Sequence, residues 1–296
     1  MAVNDEGSDT RSVPRRFGSR IGLDLGPRVA AGGAMAFVAL IAAWFGGGVF
    51  GAFWFLAAAL ILWEWQRMVA RDRLLERLLA GGLALLLAAF AALHEGAAGA
   101  VREAAAYAVA ALVVGAGLVG WLAGGAASIW AALGVLYAGA LVVSLALLRA
   151  SPGYGLAAVL WLFAVVWSAD IAAYFAGRLI GGPRLWPSVS PGKTWSGAVA
   201  GALVGAAAGL LLGGWTNRID RLFWLGLATA VVSEFGDLFE SAVKRRFGVK
   251  DSGRLIPGHG GLMDRLDAFI AASAFAALFA AANTKGSFIA SGLFRW

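Results

Sequence analysis

Residues 155–176, GLAAVLWLFAVVWSADIAAYFA, form one apolar run interrupted by a single charge, Asp170. A bilayer core is crossed by about 20 helical residues, so this run is long enough to span it. An unpaired carboxylate at such a position is costly, and intramembrane ionisable groups face bundle interiors or polar cavities. Asp170 is therefore expected to point at a polar cavity or partner, with Tyr174 on the same helical face at i+4.

Working outward, similar runs lie at 29–45, 49–65, 78–93, 104–122, 128–148, 196–214, 222–240 and 267–283. With the first run they predict nine helices and an all-α, polytopic integral membrane fold. Composition agrees: 60% of residues are hydrophobic, 14% are charged, and the mean hydropathy is +0.78, outside the balance of soluble domains. The polar, basic segment 1–28 followed by Val29–Phe45 also fits a cleaved signal peptide. The immediate restart of apolar sequence at Val49 favours an uncleaved first span. The chain divides into a basic tail (1–28), N-terminal membrane helices (29–150) and a C-terminal catalytic membrane region (151–296). Gly197, Gly201 and Gly205 have the spacing that lets helices approach closely in lipid. Trp63 and Trp65 are expected to be interfacial anchors.

Lysine and arginine test the topology, because cytoplasmic loops carry their excess. With the N-terminus inside, the inner segments hold 18 of the 24. The stretches around 178–193 and 244–265 then share the cytoplasmic face of a multi-pass plasma (inner) membrane protein, and chemistry is expected there. The net charge of +7 reads as orientation signal and anionic-lipid attraction, with no nucleic-acid partner. No cysteine and only His94 and His259 are present, which excludes thiolate chemistry and argues against a His-rich metal site; any metal should be held by oxygen. His94, in a short outer loop, has no expected role.

The richest polar stretch is SEFGDLFESAVKRRFGVKDSGRLIPGHGGLMDRLD, residues 233–267. If the eighth helix continues through Lys244, then Asp237, Glu240, Ser241 and Lys244 line one face. The bland alternative is a solvated helix end with ordinary ion pairs. Glycines at 253, 258, 260 and 261 around Pro257 and His259 predict a loop whose backbone N–H groups could approach phosphate oxygens, with charge from Lys250, Arg254 and Arg265. It is not a Walker A loop, since His259 stands where lysine is required. Asp264 and Asp267 enter the last helix three residues apart. Acidic groups from two helices suit magnesium, which takes oxygen ligands and substrate phosphates; helix-dipole complementation competes for Asp267.

The second polar stretch runs from Asp170 to Gly197. Ser190 reads as a helix cap with Pro191 as first helical residue, and Lys193 beside that N-terminus suits an anion. A structural cap in a Pro-rich loop competes as the reading of Thr194. His259 is a proton carrier or a loop hydrogen-bond donor. No G-x-S-x-G occurs, which removes the usual hydrolase elbow.

Ser241-Ala-Val-Lys244-Arg245, Lys250-Asp251-Ser252-Gly253, Pro257-Gly-His259-Gly260-Gly261 and Asp264-Arg265-Leu-Asp267 closely resemble the signature of the phosphatidate cytidylyltransferase (CDP-diacylglycerol synthase) family. Asp170 to Arg178 and Ser190-Pro191-Gly-Lys193-Thr194-Trp195 resemble its second conserved region. The resemblance covers the C-terminal half; the N-terminal helices match only in general character. It implies condensation of CTP with phosphatidic acid to CDP-diacylglycerol and pyrophosphate, with Mg2+, as two divalent cations, and a homodimer. By position it implies Asp237 and Asp264 as metal ligands and Asp237, Lys244, Asp264 and Arg265 as catalytic. It implies substrate contacts from Asp170, Ser190, Lys193, Thr194, Ser241, Arg245, Lys250, Asp251, His259, Gly260, Gly261 and Asp267. Two positions depart from the family pattern: Ser196 replaces a frequent acid and Gly192 a frequent lysine. A CTP-dependent polyprenol kinase is the nearest competing activity. A transporter is the competing class, but the repeat symmetry it should show is not evident.

Overall fold

In the computed structural model, the residues described are 25–97, 100–213, 219–253, 255, 260–285 and 288–295. Among these described residues, nine helices occupy the nine apolar runs: α1 (Leu25–Phe45), α2 (Gly47–Val69), α3 (Leu74–Ala97), α4 (Val101–Ala123), α5 (Ser128–Arg149), α6 (Gly155–Leu179), α7 (Trp195–Gly213), α8 (Ile219–Arg246) and α9 (Met263–Asn283). A short hairpin, β1 (Arg184–Trp186) and β2 (Ser190–Thr194), separates α6 from α7, and a single turn, α10 (Ser291–Phe294), follows α9. Among the described residues, α2 to α9 are each long and apolar enough to cross a membrane; the first contributes the shorter apolar segment Gly32–Phe45. Residues 25–38 form the first turns of α1, and Ala39–Trp296 form one packed body.

Hydrogen bonds at helix ends fix the alternation of directions within that body. Arg149, at the end of α5, donates to the carbonyls of Ala43 (2.8 Å) and Trp44 (3.3 Å) at the end of α1. At the opposite end of α5, Gln66 Nε2 donates to Ala131 O at 2.8 Å and Trp65 Nε1 to Trp130 O at 2.7 Å. The close of α2 thus meets the start of α5. The buried Arg77 guanidinium donates to Gln66 Oε1 at 2.8 Å and holds the start of α3 to the same end. The break between α1 and α2 is one residue, Gly46, at φ 65. A side chain there would collide with the Arg149 guanidinium, so glycine is required both by backbone conformation and by that close approach.

Helix α5 is the central element: 72% of its apolar window is buried, against 33–44% for the other spans. Around it, Trp54 of α2 and Phe163 of α6 stack on Phe269 of α9, with centroids 5.5 and 5.2 Å apart. The glycine row of α7 does what its spacing predicts. A Cβ at Gly197, Gly201 or Gly205 would come within 2.8–2.9 Å of Ala173 O, Ala169 O or Ala230 Cβ, so α7 lies close against α6 and α8. Apolar side chains such as Leu86, Phe90, Val114, Leu211 and Trp224 are left exposed, as suits a lipid-facing surface.

Two expectations are corrected. Trp65 is fully buried, packed against Tyr137 and Phe239, because its ring is needed between α2, α5 and α8 and its N–H is taken by Trp130; it is no interfacial anchor. Ser190 is no helix cap. It pairs with Trp186 in the hairpin, and α7 begins at Trp195, where the Gly197 N–H donates to Thr194 Oγ1 at 3.1 Å. Thr194 is the cap, as the competing reading held.

Candidate active site

Five elements border one open cavity of about 840 Å³: α7 lines it with Gly197 and Ala198, and the other four bring its polar side chains. Helix α6 contributes Asp170, Tyr174 and Arg178; the hairpin contributes Arg184, Gly192, Lys193 and Thr194; α8 contributes Glu234 and Asp237; α9 contributes Asp264, Arg265 and Asp267. The hairpin is shaped for this task. Its register passes from Arg184↔Thr194 to Trp186↔Ser190, so three residues of β2, Pro191 to Lys193, oppose Leu185 alone. Pro191 has no N–H to give the ladder, and the resulting bulge re-aims side chains as bulges do. Arg184 Nη1 donates to Gly192 O across it at 3.1 Å.

Each lysine in the site sits between two carboxylates. Lys193 Nζ lies 2.6 Å from Glu234 Oε2 and 2.7 Å from Asp237 Oδ2. Burial disfavours the Lys193 ammonium, but Asp237 and then Glu234 more than offset this and hold its pKa above the ordinary lysine value. Lys244 Nζ lies 2.6 Å from Glu240 Oε2 and 2.7 Å from Asp264 Oδ1. Lys244 and Glu240 are buried, Glu240 completely, which rules out the solvated helix end. The Glu240 oxygens accept no well-aligned hydrogen bond, so that pair is held by charge. The predicted face of α8 does form: Ser241 Oγ donates to Asp237 Oδ1 at 3.3 Å.

Asp264 is the junction of this network. Besides Lys244 it accepts the backbone N–H groups of Ser252 (3.0 Å) and Gly261 (2.8 Å) on Oδ2. These amides were expected to face phosphate; they face a protein carboxylate instead. Glu64 of α2, which the sequence reading passed over, does the same for the next turn. Its buried carboxylate accepts from Leu262 N (2.9 Å), Met263 N (2.8 Å) and Ser252 Oγ (3.2 Å). It thereby caps α9 from another helix and satisfies orphan donors of its first turn. A Cβ at Gly253 or Gly261 would fall 2.6 or 2.5 Å from Glu64 Oε1, which is why this stretch is glycine.

The remaining predicted residues separate. Ser190 lies in β2 and Arg245 is exposed, donating to Val249 O at 3.0 Å; neither lines the cavity. Lys250 and Asp251 line a second cavity with Glu64. Gly260, at φ 86, sits with its α-carbon against the Asp264 carboxylate. His259 and Arg254 lie outside the described residues. Glu234, Arg178 and Arg184 were not singled out from sequence, although Glu234 shares the Asp237 face at i−3. At the departure positions, Ser196 donates to Gly181 O, a bond no carboxylate could make, and Gly192 has open space where a side chain would go.

The donors suit a hard cation, since every carboxylate in the cavity offers oxygen alone. Among the described residues no three acidic or histidine groups converge into a complete cage. A cation here would draw further ligands from water or phosphate, as magnesium commonly does.

A profile of the cytidylyltransferase family matches residues 27–282. The chain belongs to that family. Among curated cytidylyltransferases it is similar to the phosphatidate cytidylyltransferase of Brucella suis biovar 1 (strain 1330), with 52% identity over 159 residues, 51% of this chain and 57% of that one. It also resembles those of Haemophilus influenzae (42% over 135 residues; 43% and 47%) and Staphylococcus epidermidis (45% over 119 residues; 39% and 46%). The chain thus spans about half the length of the curated relatives it matches.

Proposed function

We propose that this protein is a phosphatidate cytidylyltransferase acting at the cytoplasmic face of the membrane. The observation that carries this reading is the cavity between α6, the hairpin, α8 and α9. It gathers five carboxylates and four cations, Lys193, Arg178, Arg184 and Arg265, at the end of membrane helices, in a chain of the cytidylyltransferase family. Such a cavity can hold the phosphates of CTP and a lipid phosphate side by side.

In this reaction an oxygen of the phosphatidic acid phosphate attacks the α-phosphorus of CTP. The bond from that phosphorus to the β-phosphate oxygen breaks in line, and pyrophosphate leaves with the electron pair. No protein nucleophile is involved. A phosphate monoester has a second pKa of about 6, so the attacking oxygen needs no strong base. Lys193, pinned by Glu234 and Asp237, and the arginines at the cavity wall orient the phosphates and offset the charge that grows on the leaving group. Asp237 and Asp264 would hold magnesium, with Asp170 and Asp267 facing the same space. Magnesium, when bound, neutralises phosphate charge in the transition state.

The test is conversion of α-labelled CTP by the purified full chain with and without phosphatidic acid in micelles. Lipid-soluble label that requires phosphatidic acid, with matching pyrophosphate, is the expected result. Labelled CDP formed with a polyprenol acceptor would establish a kinase instead, and absence of both with folded protein would overturn the enzymatic reading.

A further inference from the structure

Behind the Asp264 network lies a second cavity of about 860 Å³, between the end of α2 and the segment that follows α8. The two cavities share a wall. Ser252 donates its N–H to Asp264, which lines the first, and its hydroxyl to Glu64, which lines the second. Their charge differs in sign. In the first, carboxylates outnumber cations. In the second, Arg67, Arg71 and Lys250 are exposed around the space and, among the described residues, none of them is ion-paired.

The two acids there do little to cancel them. The Glu64 oxygens are turned away into the first turn of α9, leaving Asp251 as the free carboxylate. The Arg67 guanidinium lies 4.6 Å over the ring of Trp63, a contact that anchors its charge without using its N–H donors. Arginine forks match phosphate oxygens. Arg67 stands in the last turn of α2, a helix long and apolar enough to span a membrane, and Arg71 follows in the turn, so both cations sit at the end of a span, where basic residues meet anionic headgroups.

We propose that this second cavity is a phosphate-binding site, separate from the reaction cavity, with Arg67, Arg71 and Lys250 as its cations and the headgroup of an anionic phospholipid as its natural occupant. Occupancy is independent of turnover, so binding is the readout. Native mass spectrometry of the detergent-solubilised full chain would be run with phosphatidylglycerol, with phosphatidylcholine, and with inorganic pyrophosphate alone. Variants are Arg71→Gln, Arg67→Gln/Arg71→Gln, and Arg102→Gln as a control in the first turn of α4. Near a membrane surface each basic residue contributes about fivefold in affinity for anionic lipid. Arg71→Gln should therefore weaken phosphatidylglycerol binding about fivefold and the double variant about 25-fold, with Arg102→Gln and phosphatidylcholine showing neither effect. Pyrophosphate bound with the same variant dependence, and phosphatidylglycerol not, would keep the phosphate site but make its source soluble. If neither ligand responds to Arg71→Gln, an exposed turn residue whose loss leaves the fold intact, the proposal is overturned.

Discussion

At the residue scale, the site is a set of cations that owe their positions to carboxylates. Lys193 is the clearest case. Its side chain is 22% exposed and its partners Glu234 and Asp237 are 11% and 32% exposed. Lys193→Met leaves both acids facing each other, which should cost about 2 kcal/mol after allowance for partial solvent screening and abolish turnover. The folded ammonium has its pKa raised above the ordinary 10.5. Its stabilisation is therefore complete at neutral pH and lost only as pH rises through the raised value. The difference in thermal midpoint between wild type and Lys193→Met should stay constant from pH 7 to pH 9 in calorimetric scans. Glu64 supports a second prediction. Glu64→Gln keeps the shape but turns an N–H toward donors that need an acceptor, so stability should fall by about 1–3 kcal/mol, and loss of order at the start of α9 should appear as faster amide exchange at Leu262 and Met263. Asp170 was legible in the sequence because a lone charge in an apolar run is conspicuous. Glu64 was not, because its partners stand 188 to 199 residues away and it lies beside Gln66 and Arg67, where a polar residue reads as the end of a span.

At the element scale, the nine helices were legible because about 20 apolar residues in a row is a local signal that needs no partner to be read. The hairpin was not. Ser190-Pro191 has the chemistry of a helix start, and strands of three and five residues carry no periodicity to contradict it. What decides between the two is the Trp186–Ser190 pairing and the Trp195 N–H given to Pro183 O at 3.1 Å, both tertiary facts. The bulge also yields a prediction. Gly192 lines the cavity, has no positive φ, and has open space where a Cβ would point. Gly192→Lys should change stability by no more than about 0.5 kcal/mol, as surface substitutions do, while lowering the apparent KM for CTP through the added charge. A thermal midpoint that falls by many degrees would show that the bulge depends on glycine.

At the scale of the whole molecule, helix directions and loop charge point the same way. The ends of α2, α6 and α8 and the starts of α3, α7 and α9 carry the basic loops and both cavities. Because the natural chain has no cysteine, single cysteines report sidedness without background. With Arg71→Cys and Lys285→Cys in intact cells, a membrane-impermeant maleimide should label position 285 and reach position 71 only after lysis. The reverse pattern would invert the topology and move the proposed chemistry to the other face.

The tie from Glu64 to Leu262 and Met263 bears on how the protein is made. The second helix leaves the ribosome nearly two hundred residues before those two donors exist, so the Glu64 carboxylate lacks its partners in α9 until the ninth helix is translated. The cavity that Asp264 lines is consequently completed only once the ninth helix has been made, and a nascent chain stalled before Met263 leaves the Glu64 carboxylate without the amides it caps.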